Sequence, residues 1–210
     1  MKTMQPHRKR TTGFTVVELM VVIAIIAIIV AFGIPSYNSV ITQNRMASEI
    51  NDLSNDVELA RSTAISSGES VTICPSTTQT TTTVCSDSDN WSTGWIIFTD
   101  VANNQTFGAG DTLIRVHSAL STDTLTGTNS TAVTGPYEGG VSYLEFNRMG
   151  GSSNGSTTGA TYSAISLHDP TNNPSWQRCL VVSGVGTSVI ASDATPGTLN
   201  SETLNGSNCP

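Results

Sequence analysis

Glu18 is the one ionisable side chain in the apolar run from Phe14 to Ile34. A carboxylate within hydrocarbon is costly unless it is paired, so an acid in such a run is a functional residue by default. A position near a helix N-terminus favours the negative charge further. Glu18 is therefore the first candidate functional residue of the chain.

Other chemistry-bearing residues form weaker constellations. Cys74, Cys85, Cys179 and Cys209 all follow the apolar run, and an even count on the exported side of a membrane segment reads as two disulfides. Three pairings are possible, of which Cys74 with Cys85 and Cys179 with Cys209 are the simplest. No Cys-x-x-Cys or adjacent histidine completes a zinc set. Gly151-Ser152-Ser153-Asn154-Gly155 matches the Gly-x-Ser-x-Gly elbow of hydrolases but runs on into Ser156-Thr157-Thr158-Gly159, with no strand-to-helix context. His117 and His168 lack a neighbouring Cys or Glu in sequence, and His168-Asp169-Pro170 reads as a turn. Asp87, Asp89 and Asp100 offer oxygens for calcium without the spaced loop and terminal bidentate acid that binding uses. No enzyme activity, metal or cofactor is expected.

The elements that must position Glu18 follow from the run itself. At about 1.5 Å per residue, a helix from Phe14 to Ile34 covers roughly 30 Å, the thickness of a bilayer core. Lys2, Arg8, Lys9 and Arg10 precede it, which holds the N-terminus in the cytoplasm and sends the rest outward. Pro35 ends the run and is expected to kink the helix. Beyond it Ile50, Leu53, Val57, Ala60 and Ala64 recur at helical spacing, with Asn51, Asp52, Asn55, Asp56 and Glu58 between them. That stripe predicts a helix continuing to about Ser66, capped by Gly68, with one face against the chain's own sheet.

From Ser70 onward the signals are short β-rich runs bounded by turn residues: 71–74, 95–99, 113–116, 141–146 and 180–183, with a weaker one at 164–167. Residues 76–83, 121–134 and 150–161 lack apolar periodicity and read as exposed loops. The fold class is α+β: a long N-terminal helix, transmembrane and then amphipathic, packed on an antiparallel β-sheet head. Charged residues make up only 12% of the chain, and its Ser, Thr, Asn and Gly suit an exported surface. Five arginines and no lysine follow Gly13, against sixteen acids. This acidity disfavours nucleic-acid and anionic-membrane partners.

The run Gly13-Phe14-Thr15-Val16-Val17-Glu18-Leu19 resembles the type IV prepilin cleavage motif. The resemblance implies that a prepilin peptidase cuts after Gly13 and methylates the new amine of Phe14. Glu18 would then pair with the N-terminal amine of a neighbouring subunit. Cutting before the apolar segment leaves the helix attached and creates a cation four residues from an anion.

Further pieces are similar to the GspH/FimT group of minor pilins and pseudopilins, in that group's order. They are Ala60 to Ile65, Val71 to Cys74, Trp91-x-x-Gly94-Trp95-Ile96-Ile97-Phe98-x-Asp100, Phe146 to Gly150, and Arg178 to Ser183. Trp91, Trp95 and Phe98 read as core. Some members of the group bind DNA through a Gly-Arg-x-Arg pattern, which here is Gly186-Thr187-Ser188-Val189, so DNA uptake is disfavoured.

The resemblance implies a leader at 1–13, a helix at 14–66 whose first part (14–34) spans the inner membrane, and a periplasmic or extracellular head at 67–210. The implied function is a minor type IV pilin that primes or builds a pilus for adhesion and twitching motility. Its partners would be prepilin peptidase and other pilin subunits. A type II secretion pseudopilin and a DNA-uptake receptor are the alternatives.

Overall fold

The computed structural model describes residues 13–77, 84–130, 139–154 and 162–192. The basic segment before Gly13 and Cys209 lie outside the described residues. The chain forms two compact units, one reaching Ile41 and one starting at Thr42.

Helix α1 (Val16–Ser67) is 52 residues long, and its assignment runs through Pro35, whose side chain lies outside the described residues. It stops at Gly68, where φ is +72° and the N–H donates to the Ala64 carbonyl at 3.0 Å. A left-handed residue at that position reverses the chain and satisfies a terminal carbonyl, as the sequence predicts.

Among the described residues of the second unit, ten strands make two antiparallel sheets. They are β1 (Val71–Pro75), β2 (Trp95–Thr99), β3 (Leu113–His117), β4 (Thr124–Ser130), β5 (Gly139–Gly140), β6 (Leu144–Phe146), β7 (Ser152–Ser153), β8 (Tyr162–His168), β9 (Arg178–Ser183) and β10 (Ser188–Ser192). The first sheet is ordered β3-β2-β1-β6-β7 and the second β10-β9-β8-β4-β5. One core joins them to the helix: Met46, Ile50, Leu53, Val57, Ala60 and Ala64 pack with inward residues of both sheets, including Ile73, Trp95, Ile165 and Leu180. Each such large side chain contributes about 1.5–3 kcal/mol by leaving water. The helix stripe read from spacing is thus the buried face. Strand β2 is buried on both faces, with Trp95 and Ile97 in the main core and Ile96 and Phe98 in a second cluster with Cys74.

Two expected loops need correction, and a third only in the burial of its first residue. Within 121–134 the chain forms β4, where Leu125, Gly127 and Asn129 are buried while Thr126 and Thr128 are half-buried. This is an alternation of period two written largely in threonine, a β-branched residue that suits a pleated surface. Within 150–161, Ser152 and Ser153 pair with Phe146 and Glu145 as β7, and 155–161 lie outside the described residues. Of 76–83, Ser76 is buried with its hydroxyl donating to the Val84 carbonyl at 2.9 Å, and 78–83 are not described. The strand expected at 141–146 narrows to β6, and Val141 instead offers its carbonyl to the indole N–H of Trp91 at 2.8 Å. Strand β10 was not foreseen; it pairs with β9 along its length.

Polar clasps orient the helix on the first sheet. Asp56, 2% exposed, accepts from Trp95 Nε1 at 2.8 Å and from Arg115 Nη1 at 2.6 Å. Near the end of α1, Arg61 Nε donates to the Gly150 carbonyl at 3.1 Å. The turn at Gly186 lies so close that a Cβ there would collide with that same carbonyl oxygen, and φ at Gly186 is +82°. Only glycine fits such an approach.

Candidate assembly site at the helix N-terminus

Thr15 sits immediately before α1 and acts as its cap: its hydroxyl accepts from the Glu18 N–H at 3.2 Å, and its carbonyl accepts from Leu19 N–H at 3.2 Å. Thr-x-x-Glu is the spacing of a capping box, of which the threonine half is made here. Glu18 consequently occupies the first turn of the helix, where exposed backbone N–H groups favour a negative charge. Gly13 and Phe14 precede the cap outside any helix or strand. A Cβ added at Gly13 would meet nothing within 4 Å, so the protein's own packing does not call for glycine there.

Every described side chain from Phe14 to Ile34 is exposed, from Val22 at 43% to Phe14 at 78% among the large apolar ones. An 18-residue window of α1 has a mean hydropathy of 3.0 with none of it buried, which makes the helix long and apolar enough to cross a membrane. An apolar helix exposed all round requires lipid or other helices to cover it. Glu18 stands in this surface with its carboxylate free to meet a group from outside.

The other predicted residues are placed as follows. Cys74 and Cys85 form a disulfide with Cα atoms 5.5 Å apart, closing the segment after β1. Cys179 is disulfide-bonded as well, and Cys209, its expected partner, lies outside the described residues. Within the Gly-x-Ser-x-Gly stretch, Ser152 and Ser153 form a sheet edge, where Ser152 Oγ donates to the Ser183 carbonyl and Ser153 Oγ to Glu145. His117 stacks on Trp95 with ring centroids 3.8 Å apart. His168 is held below its ordinary pKa chiefly by burial, against the pull of Asn172 and Asp169. Asp100 accepts from Thr72 Oγ1 and from the N–H groups of Asn104 and Gln105. Among the described residues no group of three or more His, Cys, Asp or Glu converges as a metal site. A polar cavity of about 640 Å³ beside Glu69, Asp100, Glu145 and Arg148 is lined by carboxylates of which Asp100 and Glu145 already accept hydrogen bonds.

Residues 49–186 match the family model described as type II transport protein GspH, well over half of the chain. The chain belongs to the GspH family. The family segment begins within α1 and ends at the Gly186 turn, so it covers the helix stripe and most of both sheets. Residues 8–34 match the prokaryotic N-terminal methylation motif, which contains Gly13, Phe14 and Glu18.

This GspH-family chain is also 54% identical over 35 residues to the type IV major fimbrial protein FimA and to a fimbrial protein, both of Dichelobacter nodosus. The match takes in 17% of this chain and spans 22% of the length of those relatives. The type IV minor pilin FimU of Pseudomonas aeruginosa is similar at 19% identity with a TM-score of 0.48, over 71% of this chain and 90% of that one.

Proposed function

We propose that this GspH-family chain is a minor type IV pilin, a subunit that primes or builds a surface pilus supporting adhesion and twitching motility. The observation that carries the reading is the exposed apolar helix interrupted only by Glu18, directly behind Gly13-Phe14, in a chain whose second unit buries its own core. Such a helix must be covered by lipid before assembly and by other subunits after it.

In this reading the basic segment stays in the cytoplasm while the helix spans the inner membrane. Prepilin peptidase hydrolyses the Gly13–Phe14 amide and methylates the new Phe14 amine. The methylated amine remains a cation at neutral pH, and Glu18 of one subunit pairs with it in the next. Two charges that are each costly in an apolar surrounding become tolerable together. The requirement for glycine at position 13 belongs on this view to the peptidase, since neighbouring atoms leave room for a larger residue. Pro35, in the same helix, would let the apolar segment bend as subunits pack.

Deletion of the gene should remove the pili that shear from the cell surface, and the parent gene should restore them. In a strain complemented with Glu18→Ala, the chain should be cleaved normally yet be depleted from sheared filaments. Normal incorporation of that variant would remove the pairing mechanism. A second reading, a type II secretion pseudopilin, is favoured by the family's description as a type II transport protein. Unchanged pili together with loss of a secreted enzyme in the deletion strain would select it.

A further inference from the structure

In the second unit, one arginine serves two facing carboxylates. Arg45 donates from Nε and Nη2 to Asp123 at 2.9 and 2.6 Å, and Asp123 is 3% exposed. This two-pronged geometry is complete by itself, and it holds the guanidinium on Asp123. Glu49 lies one turn further along α1 and faces the same Asp123 carboxylate. Its Oε2 is buried and has no hydrogen-bond donor. Asp52 adds negative charge from the same helix, and Asp169, in the segment after β8, acts on Arg45. Among the described residues, Arg45 is the cation that acts on Glu49.

Two neighbouring carboxylates, one buried with Arg45 and the other half-buried with a buried oxygen that has no donor, are deficient by one positive charge. A proton supplies it at the least cost in space: as a neutral carboxyl, Glu49 gains an O–H that donates to Asp123. We propose that Glu49 and Asp123 share a proton that latches α1 to the segment ahead of β4, and that its release to solvent loosens this contact. The latch does not depend on which filament the subunit joins.

Burial, followed by the contact with Asp123, pushes the Glu49 carboxyl up to about 8, with Arg45 opposing. Where the contact is open, Glu49 titrates as an ordinary carboxylate. The folded-state value is raised, so the latch contributes fully below the ordinary carboxylate range. Its contribution falls as pH rises and is lost above about 8.

The test is amide hydrogen exchange over residues 42–50 in the full chain in detergent micelles, between pH 5 and 9, corrected for base catalysis of exchange itself. The opening constant should rise with pH, by no more than about tenfold per pH unit, the limit for a single proton. It should level off above about pH 8. Glu49→Gln carries an amide that donates at every pH, so it should flatten the profile and protect the segment at pH 8. Infrared spectra of the unmodified chain should also contain a protonated-carboxyl band at pH 6 that disappears by pH 9, and this band should be missing from Glu49→Gln. A Glu49→Gln profile that follows pH as the parent does would overturn the latch. So would a parent spectrum with no carboxyl band titrating between pH 6 and 9, a measurement that stands even where the variant does not fold.

Discussion

Helix α1 has two regions made from similar residue types under opposite circumstances. Up to Ile41 its large apolar side chains, where described, are exposed, whereas from Met46 to Ala64 those at helical spacing are 0–1% exposed. The first region is apolar around its whole circumference and the second along one stripe, with polar residues between. A stripe can be covered by one sheet face, but a full circumference needs partners on all sides. The arrangement of apolar residues, more than their number, therefore separates what the chain does for its own stability from what it offers to lipid and to other molecules.

The largest expected effect tests whether the exposed region serves something outside the chain. Gly13→Arg should abolish cleavage, leaving unprocessed chain as the sole species on an immunoblot of membranes. The thermal midpoint of the purified full chain in detergent should stay unchanged, because among the described residues a Cβ at position 13 would meet nothing within 4 Å. A lowered midpoint would mean that the N-terminal residues do support the fold. Trp95→Ala makes the reverse test in the buried region. Trp95 is 0% exposed and central to the core, and its truncation should cost about 3–5 kcal/mol in denaturant unfolding of the full chain. Cleavage after Gly13 in membranes should continue. Together the two variants would show processing and folding to be separable.

Much of this division is legible in the sequence because it rests on periodicity. The uninterrupted run, the single acid at Glu18 and the stripe from Ile50 to Ala64 are each written within a few turns of chain. The paired strands 71–74, 95–99 and 180–183 are marked by β-branched and aromatic residues, and β4 escaped because threonines carry its alternation in a stretch of low complexity. The short pairings of β5 and β7 arise from long-range register, which no local window contains. The N-terminal methylation motif is recognisable as a pattern, but the threonine cap beneath it emerges from geometry: Thr15 turns the chain so that Glu18 falls in the first helical turn. The pair of Glu49 with Asp123 joins positions far apart in sequence and has no local signal at all.

Asp56 gives the smallest and sharpest of these tests. Polar like its neighbours Asp52, Asn55 and Glu58, it stands three residues after Leu53 and four before Ala60, at the edge of the apolar stripe, and it is buried against the first sheet, accepting from both Trp95 and Arg115. Its carboxylate satisfies an indole N–H that no water reaches, and the half-exposed Arg115 brings the compensating charge. Asp56→Ala would leave the indole donor unsatisfied, a loss of about 1–3 kcal/mol, while Arg115 could turn to solvent at little cost. Asp56→Asn keeps an acceptor for Trp95 and removes only the charge, so it should recover most of that stability. Equal losses in the two variants would assign the effect to the ion pair, and a neutral Asp56→Ala would show that neither contact contributes to holding the helix on the sheet.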